Sequence, residues 1–157
     1  MQPAVNSTTP VAAGMSAPRR NRILFLLIAI LSLAGIAVSA ISLERHFATS
    51  ESGFCDFNQK FNCDLVNRSE YSSIAGIPVA GIGVVGYVLL FLLSTFWRTR
   101  AETPTWLFSA AVAGLAFALW LTYIEAYKLE TWCILCLSSL ALIAGITLVS
   151  AIVKLMT

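Results

Sequence analysis

Four stretches of about 20 residues contain no charged residue, and they constrain the fold more than any other feature of the chain. They are residues 23–43, 77–96, 106–124 and 133–153. A helix needs about 20 apolar residues to cross the ~30 Å hydrocarbon core of a bilayer. Backbone polar groups in lipid must be satisfied internally, and barrel strands are shorter alternating segments, so the stretches predict helices. We therefore predict an all-α integral membrane protein, a four-helix bundle with a large extracytoplasmic loop between helices 1 and 2.

The composition of the chain supports this fold class. Of the 157 residues, 58% are hydrophobic and only 11% are charged, whereas about a quarter of an average soluble domain is charged. A water-soluble globule of this size cannot bury so much apolar surface, and disorder requires the opposite balance. The net charge of only +2, with no basic stripe, argues against nucleic-acid binding.

The beginning of the chain differs from the rest. It contains Pro3, Pro10 and Pro18 among many Ser, Thr and Ala residues, a composition typical of disordered segments. We expect residues 1–18 to form a disordered cytoplasmic tail and residues 19–157 to form one transmembrane domain. The first apolar stretch is longer than the ~7–15-residue core of a signal peptide, so we expect it to be retained as an anchor.

The distribution of basic residues predicts the orientation of the helices. The side that carries both termini has six Lys or Arg and one acidic residue, whereas the other side has four and seven. Basic residues favour the cytoplasmic side of a membrane. The second side, which carries all four cysteines, is therefore expected to face the periplasm, the cell exterior or the ER lumen.

The spacing of the cysteines favours redox chemistry. Cys55 and Cys63 lie in the loop between the first two stretches, and Cys133 and Cys136 open the fourth stretch as C-x-x-C. Two structural disulfides are one interpretation, because disulfides persist outside the cytosol. However, so small a ring as C-x-x-C adds little stability, and a helix N-terminus lowers the pKa of the first thiol. A four-cysteine zinc site is an alternative by count, but no further ligand lies near the C-x-x-C, and we expect no metal.

The first pair suggests how two pairs act together. Seven mostly polar residues separate Cys55 from Cys63, and such a segment can move over a membrane surface. Thiol–disulfide exchange passes electrons between pairs through mixed disulfides. We expect a relay in which a protein thiol reacts at the loop pair and the C-x-x-C passes electrons to a carrier dissolved in lipid.

Taken together, these features resemble the vitamin K epoxide reductase family and its bacterial quinone-linked members. The resemblance covers about residues 20–155. It rests on the four spans, the two loop cysteines, Ser69 six residues after the second of them, and the C-x-x-C at the start of the last span. Residues 62–69 and the following Gly76-Ile77-Pro78 are similar to the bacterial members.

The resemblance implies a role for each candidate residue. Cys55 would form a mixed disulfide with an incoming thioredoxin-fold protein, and Cys133 would exchange with Cys63. Cys136 would lie against the ring of a quinone, either ubiquinone or menaquinone. Ser69 would hydrogen-bond near the reacting carbonyl or thiolate, although a helix cap or a loop hydrogen bond is the alternative interpretation of its hydroxyl.

The resemblance implies a thiol oxidase that makes disulfides and reduces quinone in a bacterial inner membrane, with its cysteines facing the periplasm. Val79 and Leu140 stand roughly where vitamin K-recycling members carry an Asn and a Tyr, so reduction of vitamin K epoxide is the second hypothesis. A claudin-like four-span scaffold is the third, but it does not explain the C-x-x-C. We interpret His46 and Glu125 as interfacial side chains, although Glu125 could assist protonation.

Overall fold

The computed structural model describes residues 17–50, 53–56 and 58–157. Most of the predicted tail, residues 1–16, lies outside the described residues. The elements in chain order are α1 (Ala17–Phe47), α2 (Cys63–Asn67), a 3₁₀ turn (Glu70–Ser72), β1 (Ser73–Ile74), β2 (Ile77–Pro78), α3 (Val79–Thr95), α4 (Thr103–Ile124), a π-helical turn (Glu125–Leu129) and α5 (Ile134–Met156).

The long helices follow the charge-free stretches. Within the described ranges, three helical segments are long and apolar enough to cross a membrane, namely Pro18–Phe47, Thr103–Leu129 and Ile134–Met156. The helix α3 is also apolar but has only 17 residues, which corresponds to about 26 Å at 1.5 Å per residue. The all-α fold class agrees with the sequence prediction, while the second span is shorter than predicted.

A β-hairpin explains why α3 begins later than expected. Ile77 and Pro78 form the second strand, and Ile77 pairs with Ile74 in an antiparallel register. The two turn residues, Ala75 and Gly76, have φ values of 51° and 80°. Positive φ at both central positions is the geometry that matches the twist of a two-residue hairpin. The hairpin therefore occupies the first two residues of the predicted second span.

The four long helices form one bundle. The helix α1 packs against α3 and α5, and α4 packs against α5 and α3. Ile28, Leu107 and Ile146 from three of these helices are fully buried in a common core. On the outside, large side chains such as Val85 and Leu155 are 69% and 87% exposed, as expected for helices whose outer faces contact lipid.

A glycine allows α1 and α3 to approach each other. A Cβ atom on Gly35 of α1 would overlap three carbon atoms of the Tyr87 ring in α3. The Tyr87 hydroxyl donates a hydrogen bond to the Ser139 carbonyl oxygen at 2.8 Å and also lies 2.9 Å from the Ser139 hydroxyl. The ring therefore cannot move aside without losing its contacts with α5, and Gly35 is the small residue that this close packing requires.

We expect Gly35→Ala to lower the free energy of unfolding by about 1–3 kcal/mol, because the added methyl group overpacks the core against a hydrogen-bonded ring. Denaturant unfolding in detergent micelles measures this loss. Gly86→Ala is the matched control, since nothing lies within 4 Å of a Cβ added at that position of α3. An equal loss of stability in both variants would contradict the packing argument.

Candidate functional site

The first cysteine pair is a disulfide. Cys55 and Cys63 are bonded, with their Cα atoms 5.7 Å apart, and both side chains are buried. Cys63 is the first residue of α2, which Asn62 caps by accepting the Leu65 N–H at 2.8 Å through its side-chain oxygen. Because this pair is disulfide-bonded, the four cysteines do not form the alternative zinc site in this structure.

Two backbone hydrogen bonds attach the segment before α2 to the residue before the second cysteine pair. The Trp132 N–H donates to the Lys60 carbonyl oxygen at 2.7 Å, and the Asn62 N–H donates to the Trp132 carbonyl oxygen at 3.2 Å. They form a parallel bridge between Phe61 and Trp132. As a result Cys63 and Cys133 are buried in the same cluster.

Cys133 caps α5 and is not its first residue, so the helix begins one residue later than the C-x-x-C predicts. Its backbone is extended, with φ −111° and ψ 117°, and its Sγ accepts the N–H of Cys136 at 3.4 Å. The sulfur thus occupies the position that a Ser or Asp oxygen usually takes at a helix N-cap. The two sulfurs of the motif consequently have different surroundings.

This position lowers the pKa of the Cys133 thiol. The largest cause is a hydrogen bond with the Cys136 side chain, and the backbone N–H groups of Cys136 and Leu135 add to it. Burial and the Glu125 carboxylate act in the opposite direction. The hydrogen bonds prevail, as they do at other helix N-termini that stabilise a thiolate.

Glu125 lies inside the protein and not at the interface where we expected it. The carboxylate belongs to the first residue of the π-helical turn and is 2% exposed. Its Oε2 accepts the backbone N–H of Cys133 at 3.2 Å, and the carboxylate also hydrogen-bonds with the Cys136 side chain. The interfacial interpretation is therefore wrong, and Glu125 belongs to the cysteine site.

Asn67, which the sequence analysis did not select, connects the two cysteine pairs. Its Nδ2 donates to the Cys63 carbonyl oxygen at 3.0 Å and lies 3.9 Å from the Cys133 Sγ. Its Oδ1 accepts a hydrogen bond from the Ser42 hydroxyl at 3.3 Å. The available sequence signal was its position four residues after Cys63, which places both on one face of α2.

A cavity of about 340 Å³ lies between the long helices, and Cys136 is part of its wall. This volume falls in the range of about 300–1,000 Å³ typical of ligand pockets, which are mostly apolar with a few polar groups. Most of its lining side chains are apolar. The polar lining residues include His46, Asn67, Ser69 and Glu125.

Ser69 and His46 line this cavity, but both are held by backbone groups. The Ser69 hydroxyl donates to the Val66 carbonyl oxygen at 2.8 Å, which matches the loop hydrogen bond considered above. His46 Nδ1 lies 2.6 Å from the Asn67 carbonyl oxygen, and because a carbonyl only accepts, Nδ1 is the donor. Val79 also lines the cavity.

Two cysteine pairs meet in one cluster, and the second pair lies beside an apolar cavity in a bundle of apolar helices, three of them long enough to cross a membrane. These features define a class of protein. It is the class of multi-pass membrane thiol–disulfide oxidoreductases. The model of the vitamin K epoxide reductase family matches residues 26–151, a range that includes all four cysteines. The chain belongs to this family, whose members are oxidoreductases, and the predicted resemblance is confirmed.

Two replacements of Cys136 test the cause of the lowered Cys133 pKa. Serine keeps a hydroxyl that can donate to the Cys133 sulfur, whereas alanine removes this donor and leaves the backbone N–H groups. We expect the pH midpoint for alkylation of Cys133 by iodoacetamide to be lower in Cys136→Ser than in Cys136→Ala. Peptide mass spectrometry identifies the alkylated cysteine, and equal midpoints would show that the side-chain hydrogen bond is not the main cause.

Proposed function

We propose that the protein oxidises the thiols of a thioredoxin-fold partner and reduces a membrane quinone, ubiquinone or menaquinone, and that it thereby drives disulfide bond formation. The observation that carries this proposal is the position of the C-x-x-C between the first cysteine pair and the apolar cavity. Cys133 shares a buried cluster with Cys63, and Cys136 lines the apolar cavity. Electrons can therefore pass from the first pair to the cavity without leaving the site.

The partner reacts at the first pair. Cys55 forms the mixed disulfide with the partner, and Cys63 leaves as a thiolate. After the quinone has oxidised Cys133 and Cys136 to a disulfide, Cys63 attacks the Cys133 sulfur, the Cys133–Cys136 bond breaks, and Cys136 leaves as a thiolate that takes up a proton. The second thiol of the partner then frees Cys55, which attacks Cys63 and releases Cys133. The Cys55 side chain is only 1% exposed, so residues 53–56 must be displaced before an external thiol can reach the sulfur. A Cβ added at Gly53 meets no atom within 4 Å, and the neighbouring Phe54 is exposed, which supports the access of a partner from this side.

The second pair delivers the electrons. In one cycle two thiols of the partner lose two electrons and two protons and form a disulfide, and the quinone gains both electrons and both protons as a quinol. Cys136 is the cysteine that contacts the quinone, since it lines the cavity. The apolar wall suits the ring of a lipid-soluble carrier, and the polar residues near Cys136 suit its oxygens.

We further propose that this end of the bundle faces the periplasm of a bacterial cell. The side that carries the cysteines has fewer basic residues than the side that carries both termini, as the distribution of positive charge in membrane proteins predicts. This side also offers the oxidising compartment in which newly made disulfides persist.

Single cysteine replacements test the relay. We expect Cys133→Ala or Cys136→Ala to abolish quinone reduction by either a small dithiol or a reduced thioredoxin-fold protein. Cys55→Ala or Cys63→Ala should spare turnover with the small dithiol and reduce turnover with the protein substrate at least tenfold. Formation of quinol by purified protein in detergent is the measurement, and full activity of all four variants with the protein substrate would disprove the relay.

Reduction of vitamin K epoxide is the second candidate, because the family takes its name from that reaction. Val79, which stands in place of the asparagine expected in vitamin K-recycling members, presents a hydrocarbon side chain to the cavity. It cannot donate a hydrogen bond to the oxygens of the substrate. Turnover of the plain quinone but not of the epoxide would therefore favour the first proposal.

A further inference from the structure

Glu125 is a buried carboxylate that contacts both cysteines of the C-x-x-C, one through its backbone and the other through its side chain. Its Oε2 lies 3.2 Å from the Cys133 backbone nitrogen, and the same carboxylate hydrogen-bonds with the Cys136 side chain. It also forms part of the cavity wall. One carboxylate thus touches the sulfur that would react and the space in which the electron acceptor would lie.

The residues around Glu125 leave its charge without a cation. Across residues 17–50, 53–56 and 58–157, neither of the two ion pairs involves Glu125. A buried carboxylate with no cation and few hydrogen bonds is costly to keep as an anion. The relay in the proposed function needs a group that takes the proton of the Cys136 thiol when the Cys133–Cys136 disulfide forms, and the carboxylate that hydrogen-bonds with this thiol is such a group.

We propose that Glu125 is the catalytic proton carrier of the C-x-x-C, an inference that rests on the proposed function. Its carboxylate accepts the proton of the Cys136 thiol and passes it to the quinone oxygen that becomes a quinol hydroxyl. Glu125 is a catalytic residue in this scheme, since it contacts a reacting atom.

The atoms and electrons balance in this step. The S–H bond of Cys136 breaks as an O–H bond forms on Glu125. A disulfide then forms between Cys133, which reacts as a thiolate, and Cys136, while two electrons pass to the quinone. The O–H bond on Glu125 breaks as the first quinol O–H bond forms. Cys133 lost its proton to water when its thiolate formed, and water returns one proton to form the second quinol O–H bond. Glu125 returns to its initial state.

Of the other titratable groups on the cavity wall, Tyr71 is 45% exposed, and two are engaged elsewhere. His46 of α1 donates through Nδ1 to the Asn67 carbonyl oxygen, and the Tyr87 hydroxyl of α3 donates to Ser139. On the chain that follows Glu125, the side chains of Lys128 and Glu130 are exposed. The groups that contact the Glu125 carboxylate are thus the Cys133 backbone N–H and the Cys136 thiol.

Three variants separate proton transfer from a structural role. Glu125→Gln keeps the size of the side chain and an oxygen for the Cys133 N–H, but it cannot carry a proton. Glu125→Asp keeps a carboxyl group on a shorter side chain. Glu130→Gln is the matched control, because it makes the same chemical change on an exposed residue five positions away.

The first measurement is single-turnover reduction of a short-chain ubiquinone analogue by the dithiol form of each variant. We expect Glu125→Gln to slow this step about 100-fold or more, the range of general acid–base catalysis. Glu125→Asp should recover part of the rate, and Glu130→Gln should match the wild type. A wild-type rate in Glu125→Gln would overturn the inference, as would equally slow rates in the Gln and Asp variants.

The second measurement needs no quinone. The rate at which iodoacetamide alkylates Cys136 is followed against pH in the reduced protein, and mass spectrometry identifies the site. A proton shared with Glu125 makes this profile depend on the ionisation of the carboxyl group as well as of Cys133 and Cys136. We expect Glu125→Gln to remove one inflection from the profile and Glu130→Gln to leave the profile unchanged. An unchanged profile in Glu125→Gln overturns the inference.

These two measurements distinguish failure of the inference from failure of the proposed function. If the wild type does not reduce quinone while its alkylation profile depends on Glu125, the quinone proposal fails and the proton exchange stands. If the wild type reduces quinone and Glu125→Gln reduces it equally fast, only the inference fails. If Glu125→Gln does not fold, two other measurements test the inference. They are the single-turnover rate of Glu125→Asp and the infrared band of a protonated carboxyl group, followed in the wild type. Absence of any change in that band during turnover overturns the inference.

Discussion

Two backbone hydrogen bonds between residues 60–62 and Trp132 determine how the two cysteine pairs meet. Each contributes only about 0.5–1.5 kcal/mol to stability, but together they set the register of two segments that are about 70 residues apart in the sequence. In this register Cys63 and Cys133 are buried in one cluster, and Asn67 reaches a backbone atom of one and the sulfur of the other. A shift of one residue would turn these side chains away from each other, because neighbouring side chains on an extended segment point in opposite directions.

The two cysteines of the C-x-x-C differ because α5 begins between them. Cys133 is extended and acts as the N-cap, so the Cys136 side chain first, and then the N–H groups of the first helical turn, stabilise its thiolate. Cys136 lies within the helix, on the wall of the cavity. Cys133 therefore lies in the cluster that contains Cys63, whereas Cys136 lies on the wall of the apolar cavity. Under the proposed function, this division separates exchange with protein thiols from delivery of electrons to the membrane carrier, and Glu125 supplies the route for the proton.

The sequence predicts the helices well because a bilayer imposes a length and a hydropathy on each span. The spacing of the C-x-x-C favours a redox role, which stays a prediction. The predicted start of the second span was wrong. The apolar residues Ile77 and Pro78 do not distinguish a strand from a helix, and the positive φ of Ala75 has no signal in the sequence. The sequence analysis did not select Asn67 and gave a role of Glu125 in protonation only as an alternative, because the contacts of both residues run across the bundle. The structure gives the positions of the candidate site residues, but their roles stay predictions: Cys55, Cys63, Cys133, Cys136 and Ser69.

The most direct test of the relay is to capture exchange between the pairs. The double variant Cys55→Ser/Cys136→Ser leaves only Cys63 and Cys133, and we expect mild oxidation to join them in a disulfide that peptide mass spectrometry identifies. The control Cys55→Ser/Cys133→Ser leaves Cys63 and Cys136 and should form far less of an internal disulfide. A Cys63–Cys136 bond as the main product, or no internal bond in the first variant, would contradict an electron path that runs from Cys63 to Cys133.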